Sequence, residues 1–181
     1  QERIRAIQHF LFIGVFLFIS FTLHAANAPV VSFGPACNAV VGQTITVPVV
    51  VKNFNNISAF TLTVVYDYSK LNFVRASSNY SPLLGGTCNI GEINLGNGFR
   101  RVTISWFRNG NPGITLADGS AVANYAFTYL SGPVDLTWFE VGPSCEFTDP
   151  DATVLNDSPT SAYYINGLVS STCSSIPTIT P

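Results

Sequence analysis

Five oxygen-bearing side chains crowd one short stretch of the chain: Glu146, Asp149, Asp151, Asn156 and Asp157 all fall within EFTDPDATVLND. Calcium takes about six to eight oxygen ligands, so Glu146, Asp149, Asp151 and Asp157 form a candidate calcium site. The bland alternative is a solvated acidic loop whose Asp and Asn residues serve turns, and the spacing matches no defined calcium loop. No other cofactor is indicated. The chain has no CxxC, and its two histidines, His9 and His24, both lie in the N-terminal segment. A zinc site of sulfur and imidazole is therefore excluded from the rest of the chain, as are Ser-His-Asp and Cys-His catalysis. A glycosidase needs only two carboxylates, and Glu92, Asp118, Asp135, Glu140 and Glu146 exist. None sits in a pattern that implies a pair across a cleft. The residue types argue against an enzyme.

Aromatic residues offer a second chemistry, because flat rings stack on sugar faces. Tyr68, Tyr80, Trp106, Phe107, Trp138, Phe139, Tyr163 and Tyr164 are available. Alternation places Trp106 with Val102 and Ile104, and Trp138 with Leu136, as core. Phe107 and Phe139 point the other way, together with Thr103, Ser105, Asp135 and Thr137. An exposed apolar residue in polar surroundings hints at a partner site. A second sheet packing there is the competing reading. Three Asn-x-Ser sequons, at Asn56, Asn79 and Asn156, mark exposed loops if they are glycosylated.

The elements that position these residues have a period of two. Thr44–Lys52 (TITVPVVVK) is almost wholly β-branched, and Ala59–Tyr66 alternates Phe60, Leu62, Val64 and Tyr66 against Ala59, Thr61, Thr63 and Val65. Leu71–Ala76, Arg101–Phe107, Ala121–Leu130, Val134–Val141 and Ala162–Ser170 read likewise. Gly, Pro, Asn and Asp clusters separate them. Many short strands at this spacing predict an all-β sandwich. Pro48 predicts an edge strand or a bulge, and Asn97-Gly98 predicts a hairpin turn feeding FRRVTISWF.

The ends differ from this middle. Phe10–Leu23 is a 14-residue apolar run behind a basic start and ahead of HAANA. That is the order of a secretory signal peptide, and the run falls short of the roughly 20 residues that span a bilayer. We assign 1–28 to the signal, 29–171 to the domain and 172–181, rich in Ser, Thr and Pro, to a linker toward a further region. An uncleaved signal would be the chain's one membrane contact. From Pro29 onward six basic residues face nine acidic ones, a net charge of −3. No basic stripe exists for a phosphate backbone, so nucleic acid is not an expected partner. Cys37, Cys88, Cys145 and Cys173 all lie in the exported part. An even count outside the cytoplasm favours disulfides, and three pairings are open.

GQTITVPVVVKNFNNISAFTLTVVYDYSKLNFV resembles the opening of a cohesin domain: a Gly-led strand, a short loop, a strand closing on Tyr66-Asp67, then Lys70-Leu71 and the next strand. RVTISWF, the Ala117-Asp118-Gly119 ahead of a long strand and the Ile165-Asn166-Gly167 before the last one are similar to that family's later elements. The likeness runs from about Val30 to Ser170. It implies a nine-stranded β-sandwich of jelly-roll topology, with Asp67 holding a turn. It implies a non-catalytic module, secreted or at a bacterial cell surface, that binds a dockerin-like protein and assembles enzymes or adhesins. The partner-contacting residues would be Thr61, Thr63, Val65, Arg101, Thr103, Ser105 and Phe107, beside Ala59. Well-studied members carry Asn and Asp where this chain has Ala59 and Thr61, which leaves room for a more apolar mode of recognition. The alternatives are a carbohydrate-binding module of related fold, which would take polysaccharide, and a structural or adhesive spacer. In this fold the first and last strands run side by side, which implies a Cys37–Cys173 bond and pairs Cys88 with Cys145.

Overall fold

A computed structural model describes residues 26–110 and 112–173. The signal assigned to 1–28 lies outside the described residues except at 26–28, and the linker except at 172 and 173. Ala26–Ala28 belong to the packed domain: the Ala28 amide donates to the Asn156 carbonyl and the Asn156 amide to that of Ala26.

Among the described residues, twelve strands form two six-stranded sheets. β1 is Val30–Phe33, β2 Thr44–Lys52, β3 Ala59–Asp67, β4 Leu71–Phe73, β5 Asn79–Tyr80 and β6 Thr87–Gly96. β7 is Phe99–Phe107, β8 Ala121–Tyr129, β9 Val134–Trp138, β10 Glu146–Thr148, β11 Tyr164–Ile165 and β12 Gly167–Val169. One sheet runs β11-β1-β2-β8-β4, with β5 also on β8; the other runs β12-β9-β3-β7-β6, with β10 also on β3. Three strand lines are interrupted. β4 and β5 both lie antiparallel on β8, and β9 and β10 both lie antiparallel on β3. β11 pairs with β1 in one sheet and β12, next along the chain, with β9 in the other.

The predicted alternation places the core. Val47, Val49 and Val51 of β2 and Tyr125, Phe127 and Tyr129 of β8 meet Leu62, Val64, Val102, Ile104 and Trp106 of the facing sheet, all buried. Apolar burial of this kind is worth about 1.5–3 kcal/mol per large side chain. The Tyr125 hydroxyl crosses the sandwich to the Leu62 carbonyl at 3.1 Å, so the core's polar tip is satisfied.

Pro48 does not mark an edge. β2 lies between β1 and β8, but β1 reaches only Val49. The Pro48 carbonyl accepts from Gly34 on that side. In a strand the N–H and C=O of one residue point the same way, so the missing donor faces where β1 has already ended. The bulge falls one residue on, between Val49 and Val50.

Cys37 and Cys173 form a disulfide, with Cα atoms 5.0 Å apart, where Ala36 bridges Val169 in parallel. The second expected bond does not form: Cys88 and Cys145 are free thiols. Cys88 sits on β6, while Cys145 packs against Thr63 of β3, with β7 between them. Neighbouring strands are about 4.8 Å apart, so two spacings already exceed the roughly 7 Å limit on Cα separation in a disulfide.

The turn into β6 makes a sharp demand. Gly86 has φ +71°, and a Cβ there would lie 2.4 Å from the Phe107 carbonyl oxygen. Next to it, Gly85 accepts the Trp106 indole N–H at 2.6 Å. Gly86→Ala is expected to cost about 2 kcal/mol or more, read as a melting point lowered by about 5 °C.

Candidate functional site

β3 and β7 pair without interruption from Ala59 opposite Phe107 to Asp67 opposite Phe99. Phe60, Leu62 and Val64 turn inward with Val102, Ile104 and Trp106. The other parity therefore points out. It presents Ala59, Thr61, Thr63 and Val65 beside Phe107, Ser105, Thr103 and Arg101. β6 extends each row with Thr87, Asn89, Gly91 and Ile93. On the opposite flank Glu146 and Thr148 of β10 continue the rows of Thr61 and Ala59, and Thr137 of β9 that of Val65.

Six of the seven residues expected to contact a partner reach the surface of this one face. Thr61, Val65, Arg101, Thr103 and Ser105 are partly exposed, and Phe107 is 46% exposed. Thr63 is the correction, at 1% exposed. Where β9 leaves β3 and β10 has yet to join, the intervening chain closes over it. The Phe139 amide donates to the Thr63 carbonyl at 2.9 Å, and Cys145 Sγ lies 3.5 Å from the Thr63 amide nitrogen. Arg101 stacks its guanidinium on the Phe139 ring at 5.1 Å, so that cation is engaged on the face itself. The Thr63 hydroxyl bonds to that of Thr103 at 2.8 Å, and burial pushes the Cys145 thiol up to about 11.

Asn89, Gly91, Ile93 and Glu146 complete the face and were not assigned to it from sequence. A signal for the first three existed: the Asn97-Gly98 turn requires the strand before it to pair with β7. Glu146 was grouped instead with the acids that follow it in the chain.

That calcium grouping does not assemble. Among the described residues no three His, Cys, Asp or Glu side chains come together as a metal site. β10 carries Glu146 onto the sheet face. Asp149 Oδ1 accepts from the amides of Asp151 and Thr153 at 3.0 and 2.9 Å, and Asp157 Oδ2 accepts from the Tyr164 hydroxyl at 2.9 Å. Each of these two carboxylates serves its own turn or strand.

Asp67 holds the corner after β3. Its Oδ1 accepts from the Ser69 hydroxyl and amide at 2.6 and 2.9 Å, and these bonds hold its carboxyl below the usual range. Lys70 is 4.0 Å away. All its partners are internal to the turn, which makes the residue structural.

The face thus has hydroxyls at its centre, ring surface at Phe107, and at the other end Ile93 and Phe99, which are 51% and 46% exposed. Its β6 flank carries no outward charge, and its other flank carries Glu146 and Asp135. Among the described residues none of its hydroxyls bonds to a carboxylate. The arrangement can hold a partner.

The cohesin domain family matches residues 31–126. A solved cohesin, the sixth of scaffoldin B from Acetivibrio cellulolyticus in complex with a Cel5 dockerin mutant, is 19% identical. It superposes with a TM-score of 0.60 over 80% of this chain and 99% of its own. The OlpA cohesin of Clostridium thermocellum, solved with the dockerin Doc918, is 14% identical with a TM-score of 0.61 over 79% of this chain and 98% of its own. A non-cellulosomal cohesin from the archaeon Archaeoglobus fulgidus is 20% identical with a TM-score of 0.55, over 78% and 88%. No curated protein matches the chain by sequence.

Proposed function

The chain belongs to the cohesin domain family, and from that membership we propose that it is a non-catalytic docking module that binds a dockerin-type protein through the outward face of β6, β7 and β3. The observation that carries this reading is the face itself, three long antiparallel strands whose outward side chains include half-exposed hydroxyls and an exposed Phe107. Similar cohesins are solved in complex with dockerins. Thr61, Val65, Arg101, Thr103, Ser105 and Phe107 would make the contact, with Asn89 and Gly91 added from β6. We read β4 with β5, β9 with β10, and β11 with β12, which passes from one sheet to the other, as single interrupted strands, a reading under which nine strands of a jelly roll would result. The apolar leader and the Cys37–Cys173 bond support an exported module, since disulfides persist in oxidising compartments.

The test is capture. The chain is immobilised and offered a panel of dockerins, including the Cel5 and Doc918 dockerins, with calcium and with chelator. We expect calcium-dependent capture of a dockerin from that panel. Gly91→Arg should weaken capture by about 100-fold, because it plants an unpaired cation beside Thr103 in the middle of the face. A Cβ at Gly91 has nothing within 4 Å, so the fold should survive. Retention on insoluble polysaccharide with no dockerin captured would move the function to sugar binding, and an empty column would leave a spacer.

A further inference from the structure

At one end of the docking face β10, β3 and β7 enclose a shallow pocket lined by Ala59, Thr61, Ser105, Phe107, Glu146 and Thr148. Its only charged wall is Glu146, which is partly buried. The two ion pairs among the described residues, Lys70–Asp67 and Arg100–Glu92, do not involve it. The cation that shares the face, Arg101, lies two outward rows away along β7 and is stacked on Phe139. Among the described residues Glu146 has no counter-charge, and it faces the side on which a partner would dock. The hydroxyls of Thr61 and Ser105, 3.5 Å apart, continue the row of Glu146 across the sheet, and the exposed ring of Phe107 stands in the next row.

We propose that this pocket takes an arginine side chain of the docked partner, its guanidinium on the Glu146 carboxylate and over the Phe107 ring. The inference rests on the docking reading of this face and adds to it the chemistry of one contact. Arginine fits better than lysine on two counts. Its planar group stacks on an aromatic face, and its several donors can serve the carboxylate and the two hydroxyls together. An acidic contact is repelled by Glu146, and an apolar one would leave that carboxylate buried and unpaired. Glu146 therefore becomes a specificity determinant rather than a metal ligand.

The test uses a probe that is independent of any dockerin: the 15N-labelled chain titrated with ethylguanidinium, with butylammonium and sodium chloride at matched ionic strength. Saturating amide shifts are expected at 59–61, 105–107 and 146–148. Glu146→Gln should weaken ethylguanidinium by roughly fivefold, the upper range for a partly exposed ion pair, and Glu140→Gln should change nothing. Shifts spread evenly over all surface carboxylates, or a Glu146→Gln protein titrating like the wild type, would overturn the pocket. Equal affinity for butylammonium would overturn the preference for arginine. Guanidinium binding with no dockerin captured defeats the docking reading alone, and capture unaffected by Glu146→Lys defeats the pocket alone.

Discussion

Thr63→Arg is expected to destabilise the domain, not simply to block a partner. By strand parity Thr63 belongs to the docking face, and a cation there reads as the natural way to abolish binding. Its environment is that of the core: 1% exposed, with its hydroxyl on Thr103 and its carbonyl held by Phe139. An arginine at this position must either bury its charge or push the Phe139–Cys145 segment off β3. The adjacent row already holds the guanidinium of Arg101, which would repel it. We expect a loss of about 4 kcal/mol or more, a large share of the roughly 5–15 kcal/mol that holds a domain together. Urea denaturation measures it, with Gly91→Arg as the matched control expected within about 0.5 kcal/mol of the wild type. A Thr63→Arg midpoint near the wild type's would show that the segment opens freely and that the face extends to Thr63.

The contrast between Thr63 and its neighbours marks what a sequence can and cannot reveal about such a face. Alternation along β3 and β7 placed Thr61, Thr103, Ser105 and Phe107 outward, because the period of a pleated strand is a property of the chain alone. The Thr44–Lys52 strand coincides with β2 for the same reason. What covers an outward position depends on a distant segment, and nothing in AFTLTVVYD announces that Phe139 and Cys145 will lie on it. β6 was legible only indirectly. Its TCNIGEINLG has Gly and Asn where a buried strand would have branched residues, since nearly all of it is exposed at a sheet edge. Glu146 was misread because proximity along the chain was taken for proximity in space. Three residues of β10 are enough to turn it onto the sheet, away from Asp149. Counting cysteines suggested two bonds for a similar reason: parity of number says nothing of the strand that separates Cys88 from Cys145.

Removing the disulfide is expected to have an effect on stability of similar size. Cys37 and Cys173 are 136 residues apart in sequence, so the bond closes a loop that contains every strand except β1. In the chain-entropy account a loop of that length restricts the unfolded state by about 5 kcal/mol, near the top of the range. The Cys37→Ser/Cys173→Ser double variant should therefore lower the unfolding free energy by about 4–5 kcal/mol. Its unfolded state, no longer cross-linked, exposes more surface, so the urea m-value should rise as stability falls. That pairing separates loop closure from lost packing, because a packing defect lowers the midpoint at constant m. The free thiols supply the control. Cys88→Ser touches no bond, and burial pushes its thiol up and keeps it protonated, so that variant should keep both the midpoint and the m-value of the parent. Thiol titration of the denatured oxidised chain should find two groups, and four after reduction. A midpoint that reduction leaves unchanged would mean that the parallel pairing of β1 with β11, and of Ala36 with Val169, holds the chain ends together without the covalent bond.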